Sequence, residues 1–149
     1  MLKLIYSMAD LDTEQLLNVY KEHAWDERDF LSYLREDFFR QKGAIYAIWT
    51  EGTVYKTAVR LEPYRDGLLL HSLETEPTGR RRGYAVALMD SLLTYLGTTD
   101  SKRIYSHVNK RNRASLALHK KCGFEIFSDS ATYIDGTVTQ YCYTLCISL

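Results

Sequence analysis

The chain has 149 residues, of which 46% are apolar and 26% charged, which suits one globular domain over residues 1–149 with an ordinary core. Nineteen basic and nineteen acidic residues cancel, so no global charge draws the chain to nucleic acid. No apolar run approaches the ~18 residues of a membrane span, and the opening MLKLIYSMADLD turns acidic too soon for a secretory signal; a cytoplasmic protein with no membrane partner is expected.

Leu2 to Met8 reads as a first strand. Asp12 with Gln15 resembles a capping box, after which Leu16, Val19, Tyr20 and His23 share a helical face. A second helical stretch runs from about Asp26 to Gln41, with Phe30, Tyr33, Leu34 and Phe38 on one side, and Gly43 ends it. Ala44 to Thr50 and Thr53 to Glu62 form an antiparallel hairpin about Glu51-Gly52; in its second strand Tyr55, Thr57, Val59 and Leu61 alternate with Lys56, Ala58, Arg60 and Glu62. Gly67 to Thr75 is a further strand.

That strand feeds directly into Glu76 to Leu88, EPTGRRRGYAVAL. Ala85, Leu88, Met89, Leu92, Leu93 and Leu96 make one apolar helical stripe, so a helix starts near Arg82 to Tyr84, and Gly97 stands where a left-handed C-cap belongs. The free N–H groups and positive dipole end of such a helix, with Gly83 removing a Cβ, form an anion site. The arginine run by itself also fits a solvated loop. Lys102 to Val108 is strand-like, a short helix follows Asn112, and Phe124 to Tyr133 with Thr137 to Ile147 form a final hairpin around Asp135-Gly136. The order β-α-α-β-β-β-α-β-α-β-β predicts an α+β layer fold. Cys122, Cys142 and Cys146 are odd in number and lack paired CxxC spacing; they are expected to be reduced and mostly buried, with no metal bound.

Two segments belong together: Pro77-x-x-Arg80-x-x-Gly83-x-Ala85 after a strand, and Asn112-x-x-Ser115-x-x-Leu118-His119-x-Lys121-x-Gly123-Phe124 about thirty residues later. The pair resembles the GNAT superfamily of acyl-CoA-dependent N-acetyltransferases, matching its pyrophosphate loop and its Asn-to-Phe helix. The element order agrees as well, so the resemblance covers nearly the whole chain. It implies a mixed, mainly antiparallel sheet of about seven strands with about four flanking helices, and acetyl-CoA as co-substrate. It also implies that backbone amides of Arg81, Arg82, Gly83, Tyr84, Ala85 and Val86 cradle the pyrophosphate, with Arg80 at the family's Gln/Arg position. The main chain of Leu73 and Thr75 would pair with the pantetheine arm, and the face carrying Asn112, Ser115, Leu116 and His119 would meet that arm. Ala114, Ala117, Leu118 and Cys122 would then be the core-directed set.

Direct acyl transfer requires a neutral amine, a stabilised oxyanion and a proton for the departing thiolate. The family often carries tyrosine where this chain has His119, a candidate general acid or thiolate donor, or else a residue that only packs on the cofactor. Ser72 stands where Asp or Glu is common. Glu74 is the candidate base, with Glu76 nearby; both also fit solvated strand-end carboxylates. His71, on the face shared by Leu69 and Leu73, reads as structural. Residues 22–29 (EHAWDERD) match a region that shapes the acceptor pocket and would suit a cationic amine, or form a polar loop. The expected activity is acetylation of a primary amine on a small molecule, peptide or protein; the alternative is a non-catalytic acyl-CoA-binding module. Alternation of Tyr141, Tyr143, Leu145 and Ile147 fits either a homodimer face or the chain's own core.

Overall fold

Runs of Ile, Val, Tyr and Leu between glycine turns become strands, and most of them join one sheet. The computed structural model describes residues 1–149. Its strands are β1 (Leu2–Ile5), β2 (Ile45–Glu51), β3 (Val54–Tyr64), β4 (Gly67–Thr75), β5 (Arg103–Asn109), β6 (Glu125–Ser128), β7 (Ala131–Thr132), β8 (Val138–Thr139) and β9 (Cys142–Ser148). Its helices are α1 (Thr13–Val19), α2 (Glu27–Tyr33), α3 (Tyr84–Leu96) and α4 (Arg113–Lys121). Seven strands form the sheet in the order β1-β2-β3-β4-β5-β9-β6, antiparallel throughout except for β4 beside β5. The expected seven-stranded α+β architecture with four helices is thus the one the chain builds.

Helices cover both faces. On one, Leu16, Val19, Phe30, Leu34 and Phe38 pack against Tyr46, Ile48, Tyr55 and Ala58. On the other, Leu88, Met89, Leu92 and Leu96 pack against Val59, Leu61, Leu70, Ile104 and Val108. Each such fully buried side chain contributes about 1.5–3 kcal/mol. Simple alternation fails in β3, where Tyr55 faces the α1/α2 side with Ala58 while Val59 and Leu61 face α3. The cause is a register shift between Trp49 and Thr50, which inverts side-chain facing beyond it.

Asp12 caps α1 by accepting from the Gln15 N–H at 3.1 Å. The reciprocal half of the capping box is absent, because Gln15 Oε1 takes the Tyr55 N–H at 3.3 Å instead. The second helical stretch widens after Tyr33 into a π turn over Leu34–Phe38. Gly97 is right-handed at φ −64, not left-handed; α3 ends through Thr98 and Thr99, whose N–H groups reach Tyr95 and Leu96.

The final hairpin divides in two. β6 pairs with β9 at the sheet edge, and β7–β8 form a separate two-stranded arm around Asp135-Gly136. In β9, Leu145 is buried and Tyr143 and Ile147 pack on the core, leaving Tyr141 79% exposed. Three of the four residues of that stripe thus pack on the chain's own core. The three cysteines are unpaired but only half-buried, a correction to the expected burial. No helix is long and apolar enough to cross a membrane.

Candidate active site

The parallel pair β4 and β5 holds together only where Leu68–Leu70 face Ile104–Ser106. Past Leu70 the strands part. At the same place β4 shifts register against β3, so that Ser72 and Leu73 oppose Val59 alone. Ser72 takes φ 57, a left-handed conformation that costs a residue with a Cβ roughly 1–2 kcal/mol. Two bonds hold it there: the Tyr20 hydroxyl donates to the Ser72 carbonyl and Arg60 Nη2 donates to Ser72 Oγ, each at 2.6 Å. Arg60 is buried, its guanidinium 5.1–5.8 Å from the rings of Tyr33, Phe30 and Phe38. The bulge turns Leu73 toward α3, so Leu73 and His71 do not share a face as alternation predicted. The parted strands border a cleft of 170 Å³ lined by His71, Ser72, Leu73, His107, Asn112 and His119 among others. Separated strands leave main-chain donors and acceptors to be satisfied by something else.

β4 ends in a loop organised by Glu76, whose N–H donates to the Lys56 carbonyl at 2.8 Å. Its carboxylate accepts the Thr78 N–H at 2.9 Å and the Thr78 hydroxyl at 2.7 Å. Burial alone would raise the Glu76 pKa, but the Thr78 bonds and the Lys56 charge together hold it below the usual carboxylate value. Glu76 is a buried loop anchor, not a solvated strand-end group. Beyond it Arg81 has φ 64 and Gly83 φ 80, and α3 begins at Tyr84. Two left-handed residues so close end the loop at the first turn of α3, whose free N–H groups and positive dipole end suit an anion. A Cβ on Gly83 would meet nothing within 4 Å, so this helix start faces open space. Arg80 Nη2 lies 2.8 Å from Glu22 and 3.5 Å from Glu74, whereas Arg81 and Arg82 are exposed without ion pairs.

Asn112 caps α4, its side chain accepting the Ser115 N–H at 3.1 Å. The helix faces follow the sequence reading only in part. Asn112, Ser115 and His119 border the 170 Å³ cleft and Cys122 packs on the core as expected, but Leu116 also packs on the core, His119 is 2% exposed, and Ala114 and Ala117 lie outside. His119 Nδ1 is 2.7 Å from the Ser115 carbonyl and Nε2 is 2.8 Å from Ser106 Oγ. A carbonyl only accepts, so Nδ1 carries the proton and Nε2 receives the Ser106 hydroxyl. Burial pulls the His119 pKa below its ordinary value, with the Ser115 bond a partial counterweight. The ring is therefore neutral with both nitrogens engaged. The donor role expected of His119 lacks a free proton.

Glu74 is also engaged. His23 Nε2 lies 2.7 Å from Oε2, and Arg80 approaches Oε1. The Thr75 hydroxyl sits 3.1 Å from that of Thr57 across the strands. Residues 22–29 fold against this strand end: His23 and Trp25 rings lie 4.4 Å apart, Trp25 and Tyr20 5.4 Å. None of these residues lines the larger cleft, of 710 Å³, on the α1/α2 face. That cleft runs between the π turn and the β7–β8 arm, with Tyr33, Asp37, Glu62, His71, His107 and Tyr133 on its walls. Residues of α2, the π turn, β3, β4, β5, β9 and the β7–β8 turn contribute to it, so no local spacing in the sequence announces it. Glu62 accepts from Gln41 Nε2 at 2.6 Å and lies 2.9 Å from His71 Nε2. Burial pushes its pKa up, but His71, Gln41 and Arg60 outweigh that and hold it below the ordinary value. His71 and His107 border both clefts, so the two spaces adjoin at these residues.

The acetyltransferase (GNAT) family model matches residues 6–124. A comparison with curated proteins found no match. Among solved structures, the ribosomal-protein-S18-alanine N-acetyltransferase from Escherichia coli superimposes with a TM-score of 0.71 at 19% identity, covering 99% of this chain and 94% of that one. The spermidine/spermine N-acetyltransferase from Vibrio cholerae, a manganese complex, gives 0.70 at 16%, covering 99% and 92%. The PaiA N-acetyltransferase from Thermoplasma acidophilum, in complex with coenzyme A, gives 0.65 at 11%, covering 100% and 99%. The fold is shared over more than nine-tenths of each chain. With the split between β4 and β5, the bulge at Ser72 and the left-handed loop at the head of α3, the family match establishes that this chain belongs to the GNAT acetyltransferases and is an acyl-CoA-dependent N-acetyltransferase.

Proposed function

We propose that the donor is acetyl-CoA and that the acceptor is a cationic primary amine, on a small molecule, peptide or protein, entering through the 710 Å³ cleft. One observation carries the reading: the cleft at the split between β4 and β5 is bordered by Asn112, Ser115 and His119 of α4, and it shares His71 and His107 with a larger space that carries Asp37, Glu62 and Asp135. In this reading the pyrophosphate sits on the N–H groups of Arg81 to Val86, with Gly83 allowing close approach, and Arg80 braces the loop through Glu22 and Glu74. The pantetheine arm takes the place of a strand against Leu73 and Thr75, beside Asn112 and Ser115 of α4. The thioester carbonyl then lies at the bulge, where a main-chain N–H polarises it.

Asp37, Glu62 and Asp135, with the rings of Tyr33 and Tyr133, favour a positively charged acceptor through charge and cation–π contact. The solved structures of a ribosomal-protein-S18-alanine N-acetyltransferase and of a spermidine/spermine N-acetyltransferase are compatible with such a substrate. His119 in this account positions α4 against β5, and Glu74 positions the 22–29 loop. Three unpaired cysteines support a reducing, cytoplasmic location. The test is thiol release from acetyl-CoA across a panel of polyamines, amino acids and peptides, beside a thermal-shift titration. A stabilisation of ~2.7 kcal/mol is expected at 100 times Kd. Binding without thiol release from any amine would reduce the chain to an acyl-CoA-binding module.

A further inference from the structure

We infer that His107 of β5 is the general base that takes the proton from the acceptor amine, through Nδ1. The inference rests on the reading of the 710 Å³ cleft as the acceptor side. His107 and His71 are the two titratable residues bordering both that cleft and the split between β4 and β5, so an amine moving from the one to a thioester in the other comes up against them. His71 Nε2 lies 2.9 Å from the Glu62 carboxylate, outside hydrogen-bond geometry, and that neighbouring negative charge favours a protonated ring over a free base. His107 is not committed to any carboxylate, and its tautomer is set by a chain of hydrogen bonds. The Tyr64 hydroxyl gives its proton to the Thr132 carbonyl at 2.5 Å. Its oxygen is therefore the acceptor in the 3.3 Å contact with His107 Nε2, which must carry the ring proton. Nδ1 is left with a lone pair and makes no hydrogen bond within the protein.

The surroundings keep that lone pair available at neutral pH. Desolvation, then the charges of His71 and Arg65, draw the His107 pKa below its ordinary value. The groups facing the ring are Tyr64 and Glu62 from β3, Arg65 from the following turn, His71 from β4, Tyr133 and Asp135 from the β7–β8 arm, Asp37 from the π turn and Cys142 at the start of β9. Tyr133 stands edge-on at 5.4 Å and Tyr64 at 5.5 Å, so the ring is clamped between aromatic neighbours. In the reaction an ammonium gives one proton to Nδ1, which passes it to solvent. The neutral nitrogen bonds to the thioester carbon. Collapse breaks the C–S bond with its electron pair on sulfur, and the remaining surplus proton on nitrogen ends on that thiolate, so one proton is released per turnover.

The experiment compares wild type and His107→Gln with acetyl-CoA and the best amine of the panel. The expected result is a fall in kcat/KM of about 10²-fold and loss of the acid-side limb of its pH profile, with acetyl-CoA affinity by thermal shift unchanged. An unaltered profile in His107→Gln beside an active wild type overturns the base and leaves the proposed function standing. An inactive wild type that binds acetyl-CoA overturns the function itself. Nitrogen NMR of the wild-type histidines gives a readout independent of turnover and of the variant's folding. An Nε2–H tautomer with unprotonated Nδ1 is expected for His107, and the opposite tautomer overturns the assignment.

Discussion

The Tyr20 hydroxyl donates to the carbonyl of Ser72 at 2.6 Å, and Ser72 is where β4 bulges away from β5. Tyr20 in turn accepts from the buried Tyr46 hydroxyl at 2.8 Å. Burial pushes the Tyr20 pKa far above the ordinary value, more than its bond to Tyr46 lowers it, so the hydroxyl keeps its proton at every pH of interest. Tyr20→Phe leaves two buried groups without partners and is expected to cost about 1–3 kcal/mol, measured by urea unfolding. Adding Tyr46→Phe removes one orphan. The double variant should therefore be no less stable than Tyr20→Phe alone, and a further additive loss would show that the chain of hydroxyls does not act as a unit. The same Tyr20→Phe should lower kcat more than it raises the KM for acetyl-CoA, since the bulge sets where the thioester lies.

Tyr20 also shows where the sequence stops being legible. Period and capping residues placed α1, α3, α4 and the strands near their true bounds, and the two motifs placed the donor side. What they could not place is anything set by register. The shifts at Trp49/Thr50 and at Ser72 have no local signature, and each turns over the facing of the residues beyond it. Alternation therefore pairs His71 with Leu73, which the bulge turns to the opposite face. His107, two residues from Tyr105 on the α1/α2 face of β5, carried a signal in its alternation. It acquires meaning only once Tyr64, Thr132 and His71 are brought to it from other elements. The burial of His119 and Leu116 on α4 has a different cause: an imidazole with both nitrogens bonded is buried as readily as a leucine, which helical spacing alone does not announce.

His119→Ala is expected to act on stability before chemistry. It opens a cavity beside Phe124, whose ring centroid lies 5.0 Å from that of His119, and strands the Ser106 hydroxyl. A loss of about 2–4 kcal/mol in urea unfolding follows. At a temperature where the variant is folded, the base-side limb of its kcat profile should match wild type. Disappearance of that limb would return the proton-donor role to His119.

The loop ahead of α3 separates backbone from side chain. Arg81 occupies φ 64, which glycine adopts without strain, so Arg81→Gly should be neutral to stabilising and change the KM for acetyl-CoA by less than about threefold. Gly83→Ala puts a methyl group into the open space where the pyrophosphate is proposed to lie, on a residue at φ 80. It should cost about 1 kcal/mol of stability and raise that KM by about tenfold or more. If Arg81→Gly proves the more damaging to KM, side-chain charge, not the backbone amides, holds the cofactor.

His107 and His119 both titrate below their ordinary value, mainly through desolvation. Each is bound neutral in the folded chain and regains a proton more readily when unfolded. Stability from both is therefore complete above the unfolded value of about 6.5 and is lost as pH falls through the lower folded values. Urea midpoints should be level from about pH 7 to 8 and decline below about pH 6.5. His119→Gln should flatten part of that decline, and His107→Gln a separate part, because the rings lie on opposite faces of the sheet and share no bonded partner. A decline of unchanged steepness in the double variant would place the acid sensitivity on the carboxylates of Glu62 and Glu76, whose lowered pKa values give the same sign at lower pH.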